Sequence, residues 1–487
     1  MGMGIFARER TVAPPGWSRW LIPPAALSVH LAIGQAYAWS VFKKPLEATM
    51  LTDSSHPGTL SALPFQLGIV MLGLSAALFG TWVERAGPRA AMATSSLFFC
   101  SGLAIASLGV ASDQYWLVVL GYGVVGGIGL GIGYISPVST LIKWFPDRPG
   151  LATGIAIMGF GGGALIASPM TTEFLKHWHA VVGTTVGAPA PDQDGIAKTF
   201  LVLAIIYAVF MTMSYSLIRV PAPGWKPAGW VKNPDNVRIS RNHVSAKNAI
   251  KTPQFWLLWV VLCFNVTAGI GILERAAPIF RDFFPDSGGG NAASLAAAAA
   301  GFVAMLSLCN SAGRIIWSST SDFLGRRNMY RIYLGIGGLL YLFILLTTDN
   351  NKAMFVVACM LILSFYGAGF ATVPAYLKDL FGSYQVGAIH GRLLTAWSVA
   401  GVLGPMIINN IADHQISHGK KGVDIYTPSF VIIIALLVVA FICNELIKPV
   451  DPKWHEPEDV VAAAEVGQTV GFAGTTATAT DGMGAKP

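Results

Sequence analysis

The residue best placed to do chemistry is Arg314, a cation inside an otherwise apolar stretch of the chain. It lies eight positions before Asp322, which corresponds to about 12 Å along a helix with a rise of about 1.5 Å per residue. Insertion of a cation at such a depth in a bilayer costs about 2.5–3.5 kcal/mol. The residues one turn away, Asn310 and Ser318, carry no charge. An unpaired guanidinium beside water would bind an anion, and its planar fork suits a carboxylate.

An alternative interpretation is that Arg314 is structural and pairs with an acid from another helix. Acids inside the apolar stretches are few, and Glu274 comes nearest to being one. This scarcity of partners favours the anion site, and the structural pairing remains the competing hypothesis.

Polar and aromatic side chains in other apolar stretches are candidate neighbours of that site. Each of them could line a cavity or simply pack among helices. Besides Asn310, the candidates are Gln35, Tyr37, Trp39, Gln66, Tyr134, Tyr366 and Phe370.

Enzymatic or metal chemistry is not indicated. The run GYGVVG at 121–126 fits a dinucleotide fingerprint, but it lies inside an apolar stretch and not between a strand and a helix. His177 and His179 lack further metal ligands nearby. No nucleophile stands at a recognisable spacing from a base. We therefore expect no enzyme, no metal and no cofactor.

Membrane-spanning helices are the elements that must position these residues. The chain has 487 residues, of which 53% are hydrophobic and 12% charged, and its mean hydropathy is +0.57. Soluble domains carry about a quarter charged residues, and a spanning helix needs about 20 apolar residues. Reading along the chain predicts twelve spans, at 17–42, 63–83, 91–110, 116–141, 151–170, 199–220, 255–273, 296–319, 332–348, 353–376, 388–411 and 427–447.

The spans fall into two groups of six that resemble each other at an offset of about 236 residues. The predicted fold class is an all-α membrane protein, with twelve transmembrane helices in two pseudo-symmetric six-helix bundles. The predicted segments are a terminal segment at 1–16, bundles at 17–220 and 253–448, a linker at 221–252 and a tail at 449–487. The tail is too poor in large apolar residues to build a core, so we expect it to be disordered.

The distribution of Lys and Arg predicts orientation. Most of the 32 basic residues fall on one set of loops if both termini are cytoplasmic, as expected for inner loops. The bases are too dispersed for nucleic acid. We expect a monomeric multi-pass protein whose partners are the bilayer and a small organic anion. The lack of a long soluble domain favours a bacterial inner membrane.

Two loops that occupy equivalent places in the halves carry a shared pattern of acid, glycine and arginine. They are 80–89 (GTWVERAGPR) and 318–327 (SSTSDFLGRR). Inner loops often contain Gly and Arg, but recurrence in register favours a dedicated motif. The residues predicted to act in it are Gly80, Glu84, Arg85, Gly87 and Arg89, and then Asp322, Gly325, Arg326 and Arg327.

These loops resemble the signature of the major facilitator superfamily. More narrowly, 34–42 (GQAYAWSVF) and 143–150 (KWFPDRPG) resemble the oxalate/formate antiporter family, which is related to monocarboxylate transporters. The resemblance covers residues 15–450. It implies that Arg314 binds the substrate carboxylate and that Tyr37, Tyr134, Tyr366 and Phe370 form an aromatic box around a small acid.

One departure from that family bears on the substrate. Oxalate carriers of the family have a second cation, a lysine in the eleventh helix, where this chain has Trp397. One cation would leave a dianion uncompensated in a low-dielectric cavity. The sequence therefore predicts transport of a monocarboxylate such as formate, lactate or pyruvate, with oxalate/formate exchange as the alternative.

The coupling ion and the rival functions follow from the same resemblance. Proton-coupled monocarboxylate carriers have an aspartate one turn before their arginine, where this chain has Asn310. A coupling proton is therefore in doubt, and exchange or uniport stays open. A carrier of larger or neutral solutes with a structural Arg314 is one rival. A membrane sensor is the other, although the short linker and tail offer no output domain.

Overall fold

The computed structural model describes residues 11–180, 191–222, 224–230, 243–289, 292–347, 351–457 and 459–461. Over these residues the chain is helical, apart from connections and one isolated β-bridge between Val12 and Val220. The first helical segment, α1, consists of Ile22–Ile33, a 3-10 turn at Gly34–Ala38 and Ser40–Met50. The following helices are α2 (Pro57–Ala86), α3 (Pro88–Ala111), α4 (Tyr115–Trp144), α5 (Pro149–His177), α6 (Gln193–Leu217), α7 (Pro253–Phe283), α8 (Ala292–Leu324), α9 (Arg326–Thr347), α10 (Lys352–Phe381), α11 (Val386–Ser417) and α12 (Thr427–Leu446).

The eleven helices from α2 to α12 are each long and apolar enough to cross a membrane. With α1 they make the twelve spans predicted from the sequence, arranged as two six-helix bundles, α1–α6 and α7–α12. The predicted all-α membrane fold is confirmed.

The first span, predicted at 17–42, consists of more than one helical segment. Its helix begins at Ile22, with prolines at 23 and 24 in the first turn, where a missing N–H costs nothing. It breaks at the 3-10 turn and then continues to Met50. At the break the backbones of α1 and α5 touch, because a Cβ on Gly34 would lie 2.5 Å from the Phe160 carbonyl oxygen.

The two bundles meet along two pairs of helices that are equivalent under exchange of the halves. In the first pair, Gly73 of α2 lies against Ser398 of α11, whose hydroxyl donates to the Val70 carbonyl at 3.0 Å. In the second, Gly154 of α5 lies against Ser318 of α8. These two seams bring the backbones of opposite halves close together.

The two ends of the molecule differ. At one end, which we call the closed end, the loops at 87, 145–148, 325 and 382–385 come together and the halves touch. At the other, the open end, a cavity separates α1, α2 and α5 from α7 and α8. The described parts of the N-terminal segment and the linker lie at the closed end. There Ala13 donates to the Val220 carbonyl at 2.9 Å and Val244 to that of Phe381 at 2.9 Å.

The start of the predicted tail is not separate from the bundle. Glu456 accepts from the Asn248 side chain at 3.0 Å, and its N–H donates to the His243 carbonyl at 2.7 Å. The Pro449 carbonyl accepts from Gln254 at 3.0 Å. Residues 449–457 are therefore packed onto the linker, and residues 462–487, where disorder was also predicted, lie outside the described residues.

Candidate functional site

Arg314 lies on α8 with its side chain fully buried, at 0% exposure. Its Nε donates to Asn310 Oδ1 at 3.2 Å, and its Nη1 donates to the Ile157 carbonyl of α5 at 3.1 Å. Gly161 provides the room, because a Cβ there would lie 2.7 Å from the guanidinium Nε. Nη2 has no hydrogen-bond partner in the described part of the chain. One edge of a buried cation is thus left for a ligand.

Among the described residues, Arg314 forms no ion pair with a carboxylate. The Glu274 side chain, the partner considered under the structural interpretation, lies outside the described residues. The neighbours that the structure does show for the guanidinium are an amide, a backbone carbonyl, an aromatic ring and the hydroxyl of Tyr37, all uncharged.

An aromatic cluster surrounds the guanidinium. Phe370 of α10 lies with its ring centroid 5.4 Å from Cζ of Arg314. Trp397 of α11 packs on Phe370 at a centroid distance of 4.4 Å, and on Phe160 and Tyr134 of the other half at 5.2 and 5.4 Å. The structure therefore brings Tyr134, Phe370 and Trp397 together with Arg314 at the interface of the halves.

Three buried donors in this cluster lack acceptors. Within the described residues, Arg314 Nη2, the Tyr134 hydroxyl and Trp397 Nε1 have no hydrogen-bond partner. A buried donor left without an acceptor costs about 1–3 kcal/mol, and such groups in native proteins call for an explanation. An anion bound among them could accept from all three groups, whereas a cation would be repelled by the guanidinium.

A cavity of about 190 Å³ leads from the open end toward this cluster. Tyr37, Asn310 and Ser307 are part of its wall, whereas Arg314 lies behind Asn310. The hydroxyls of Tyr37 and Tyr366 share a hydrogen bond of 3.1 Å that joins the halves at this depth. In this conformation the guanidinium is covered.

The remaining predicted residues lie farther from the guanidinium. Trp39 lines the cavity but donates its Nε1 to the Ser61 carbonyl at 2.7 Å. Gln35 is buried within the first half, where it accepts from the Tyr122 hydroxyl at 3.2 Å. Gln66 is half-buried on α2 and is not part of the cavity wall. These three residues do not contact Arg314 in this conformation.

The sequence interpretation missed three residues that the structure places at the site. Phe160 stands in a glycine-rich run of α5 and packs on Tyr37 at 5.1 Å. His390 of α11 is buried with no partner for either ring nitrogen in the described residues, 5.9 Å from the Tyr134 ring. Lys43 lines the cavity near its mouth. Lys43 could have been noticed as a base next to the first predicted span, whereas Phe160 and His390 carry no such signal.

The loop motif of the first half makes a contact across the closed end, which we call the first clasp. Glu84 Oε1 accepts from the backbone N–H of Gly387, at the start of α11, at 3.1 Å. Its Oε2 accepts from Lys143 of α4 at 2.8 Å. The first clasp thus places a carboxylate at a helix N-terminus, where the exposed N–H groups and the helix dipole favour it.

The second clasp is formed by the equivalent acid of the second half. The two oxygens of Asp322 accept from the backbone N–H groups of Gly150 and Leu151, which open α5, at 2.9 and 3.0 Å. Arg326 binds Asp322 at 2.6 Å and Asp379 at 3.3 Å. Each half therefore caps a helix of the other.

Two glycines end the helices that carry these acids. Gly87 has φ 84° and ψ 165°, and Gly325 has φ 82° and ψ 148°, a region of backbone space that is open almost only to glycine. Of the other motif residues, Gly80 lies against Ala388 of α11, Arg89 donates to the Ser216 carbonyl, Arg327 binds Glu445, and Arg85 is exposed.

Comparison with known families identifies the fold. The sequence profile described as "Major Facilitator Superfamily" matches residues 25–310 and 289–471. Two solved structures with the same fold are the transporter FucP in the outward conformation and the human organic anion transporter MFSD10. Their sequence identities to this chain are 16% and 12%, and each has a TM-score of 0.61. The matches cover 88% and 89% of this chain and 99% and 100% of theirs.

Curated relatives are distant but match over most of their length. An uncharacterised transporter of this superfamily from Escherichia coli, YhjX, is 24% identical over 79% of this chain and 86% of its own. The apicoplast pyruvate carrier 1 of Toxoplasma gondii is 23% identical over 90% and 91%. The oxalate:formate antiporter of Oxalobacter formigenes is 22% identical over 80% and 83%. The family resemblance seen in the sequence is thus confirmed.

Proposed function

Because the chain belongs to the Major Facilitator Superfamily, we propose that it is a secondary carrier of small carboxylate anions that works by alternating access. The observation that carries this proposal is the free Nη2 of Arg314, which is buried among aromatic rings and has no carboxylate bound to it within the described residues. The free donors of Tyr134 and Trp397 support the same chemistry, since a carboxylate has two oxygens to accept from them.

The expected substrate is a monocarboxylate such as formate, lactate or pyruvate. At the depth of Arg314 the facing residue on α11 is Trp397, an uncharged donor, so that a single cation neutralises a single carboxylate. Pyruvate and oxalate/formate carriers among the relatives support this class of acids. Oxalate/formate exchange is the alternative, and it would require a second cation next to the guanidinium.

The conformation suggests a transport cycle. We assign the open end to the outer face and the closed end, with both termini and the linker, to the cytoplasm, most simply of a bacterial inner membrane. The substrate would enter from the open end and reach Arg314 after the Tyr37–Tyr366 contact opens. Rocking of 17–220 against 253–448 would then break the clasps. Because Asn310 holds the guanidinium in place of a carboxylate, exchange or uniport by a monomer is expected.

The test is uptake of labelled formate, lactate, pyruvate and oxalate into liposomes that contain the purified protein, with and without the same acids inside. Arg314→Gln should lower uptake of the transported acid at least about 100-fold, because it removes the cation that would bind the carboxylate. Arg331→Gln is a matched control, since Arg331 is an exposed arginine bound to Glu445 on α12. Unchanged uptake by Arg314→Gln would contradict the anion site.

The rival function is carriage of larger or neutral solutes by a protein in which Arg314 only fixes α8 to α5. Its bond to the Ile157 carbonyl is the observation in its favour. In that case the acids would fail to compete with the true solute. Arg314→Gln would then lower the thermal stability of the protein without a specific loss of acid uptake.

A further inference from the structure

We propose that Lys43 is a second anion-binding group of the same cavity, and that it extends the substrates to dicarboxylates whose two charges lie several bonds apart. This inference rests on the proposed function, because it takes Arg314 as the group that binds the first carboxylate. It concerns the opposite end of the cavity, where the family resemblance predicts no cation.

Lys43 of the first half and Asn310 of the second half are both part of the cavity wall. Asn310 bonds directly to the guanidinium of Arg314, so one end of the space is closed by that cation. Lys43 belongs to the last segment of α1, on the side of the open end, and comes from the other half of the molecule. The cavity is therefore lined by one positive charge, Lys43, and leads toward a second, which lies behind Asn310.

The ammonium group of Lys43 lies within electrostatic range of Glu47 but forms no direct bond with it. Glu47, one turn farther along α1, binds Lys44 through Oε2 at 2.7 Å and accepts from Ser61 through Oε1 at 2.6 Å. Lys43 itself has no ion pair or hydrogen bond through its side chain in the described residues. Two adjacent lysines thus differ, because Lys44 is paired and faces solvent whereas Lys43 is unpaired and faces the cavity.

The separation of Lys43 from the aromatic cluster around Arg314 selects the length of a dianion. Lys43 stands six residues after Tyr37, which corresponds to about 9 Å along α1, and Tyr37 lies at the depth of the aromatic cluster. The two charges of oxalate are on adjacent carbons, so both would lie at one end of the cavity. Succinate and glutarate place two or three methylenes between their carboxylates, which lets one carboxylate meet Arg314 while the other meets the flexible stem of Lys43.

The test compares succinate with butyrate, which has the same four-carbon skeleton and a methyl group in place of the second carboxylate. Uptake of both is measured in liposomes containing the wild type, Lys43→Gln or Lys44→Gln. We expect Lys43→Gln to raise the KM for succinate about tenfold, which is the size of one charge-assisted hydrogen bond at a partly exposed site. The KM for butyrate should change less than about twofold, and Lys44→Gln, which frees Glu47 from its partner, should raise the KM for succinate less than Lys43→Gln does.

The outcomes separate this inference from the function on which it rests. Equal effects of Lys43→Gln on both acids, or a wild type that prefers oxalate to succinate, would overturn the second site while leaving the Arg314 site in place. Uptake of both acids that survives Arg314→Gln would instead refute the carboxylate site itself. Substrate-induced thermal stabilisation of each purified variant, measured with succinate and with butyrate, gives a second readout that does not depend on the transport cycle.

Discussion

The two clasps at the closed end are equivalent in the repeat but unequal in strength. Asp322 accepts from two backbone N–H groups of α5 and holds a guanidinium whose side chain is only 6% exposed. Glu84 accepts from one N–H group of α11, and its cation, Lys143, is 24% exposed. Charge-assisted hydrogen bonds gain strength when water is excluded, so the second clasp should contribute most of the stability of the closed end.

The difference arises from where each cation stands. Arg326 follows Asp322 by four residues in the same motif and reaches it with one arm of a planar fork, while another nitrogen of the fork meets Asp379. Lys143 comes from the end of another helix and offers a single point charge. A duplicated sequence motif can thus support two contacts of different energy, and the following substitutions test that ranking.

The largest effect is expected from Asp322→Asn. It removes the charge from both backbone contacts and leaves Arg326 with Asp379 as its carboxylate partner, and loss of one member of a buried pair costs about 3–5 kcal/mol. The population of the closed conformation should fall at least about 100-fold. Spin labels at Arg148→Cys and Ser383→Cys, in a background without the five native cysteines, would report this as a longer distance between the halves.

Gly150→Ala should come second and should exceed Gly387→Ala. A Cβ on Gly150 meets the backbone carbonyl of Ser318, which cannot move away, whereas a Cβ on Gly387 meets two side chains, Glu84 Oε1 at 2.5 Å and Ser139 Cβ at 2.8 Å. Overpacking costs about 1–3 kcal/mol. The same spin-label pair should show a shift toward the open distance for Gly150→Ala and a smaller one for Gly387→Ala. The reverse order would show that the first clasp is the more rigid one.

Glu84→Gln should have an intermediate effect. The amide keeps one oxygen for the Gly387 N–H but loses the charge that binds Lys143, which corresponds to about 1–2 kcal/mol. We expect a detectable rise in the open distance that stays clearly below that of Asp322→Asn. Equal effects of the two substitutions would contradict the ranking of the clasps.

The smallest effect is expected from Lys143→Gln. An ion pair with one partly exposed member contributes about 1 kcal/mol or less, and salt screens it further. The spin-label distance should change little, and the change should vanish at high ionic strength. An effect as large as that of Glu84→Gln would mean that the lysine, and not the helix N-terminus, carries the first clasp.

Much of this structure follows from simple rules applied to the sequence. Twelve spans follow from windows of about 20 apolar residues, and Arg314 stood out because a buried cation is costly. The loop motifs were found because they repeat. The break in the first span at Gly34–Ala38 could not be predicted, since it depends on how closely α5 approaches.

The partners of the motif acids could not be predicted in the same way. Glu84 and Asp322 bind backbone N–H groups of Gly387, Gly150 and Leu151 in the opposite half, and backbone donors leave no mark in a sequence. Lys43 escaped notice for a different reason, because it stands just past an apolar window, where a lysine usually faces water. The partners of the motif acids and the surroundings of Lys43 both depend on distances between helices that are far apart in the chain.

The two backbone-close seams, Gly73 against Ser398 and Gly154 against Ser318, suggest how little has to be rebuilt when the halves turn. Helix surfaces made of small residues have no long side chains to repack, so one surface can rotate against the other at little cost. Resistance to rotation would then come mainly from the hydrogen bonds of the two clasps at the closed end. Single substitutions in the clasps could then change the rate of the motion without disturbing the seams about which the halves rotate.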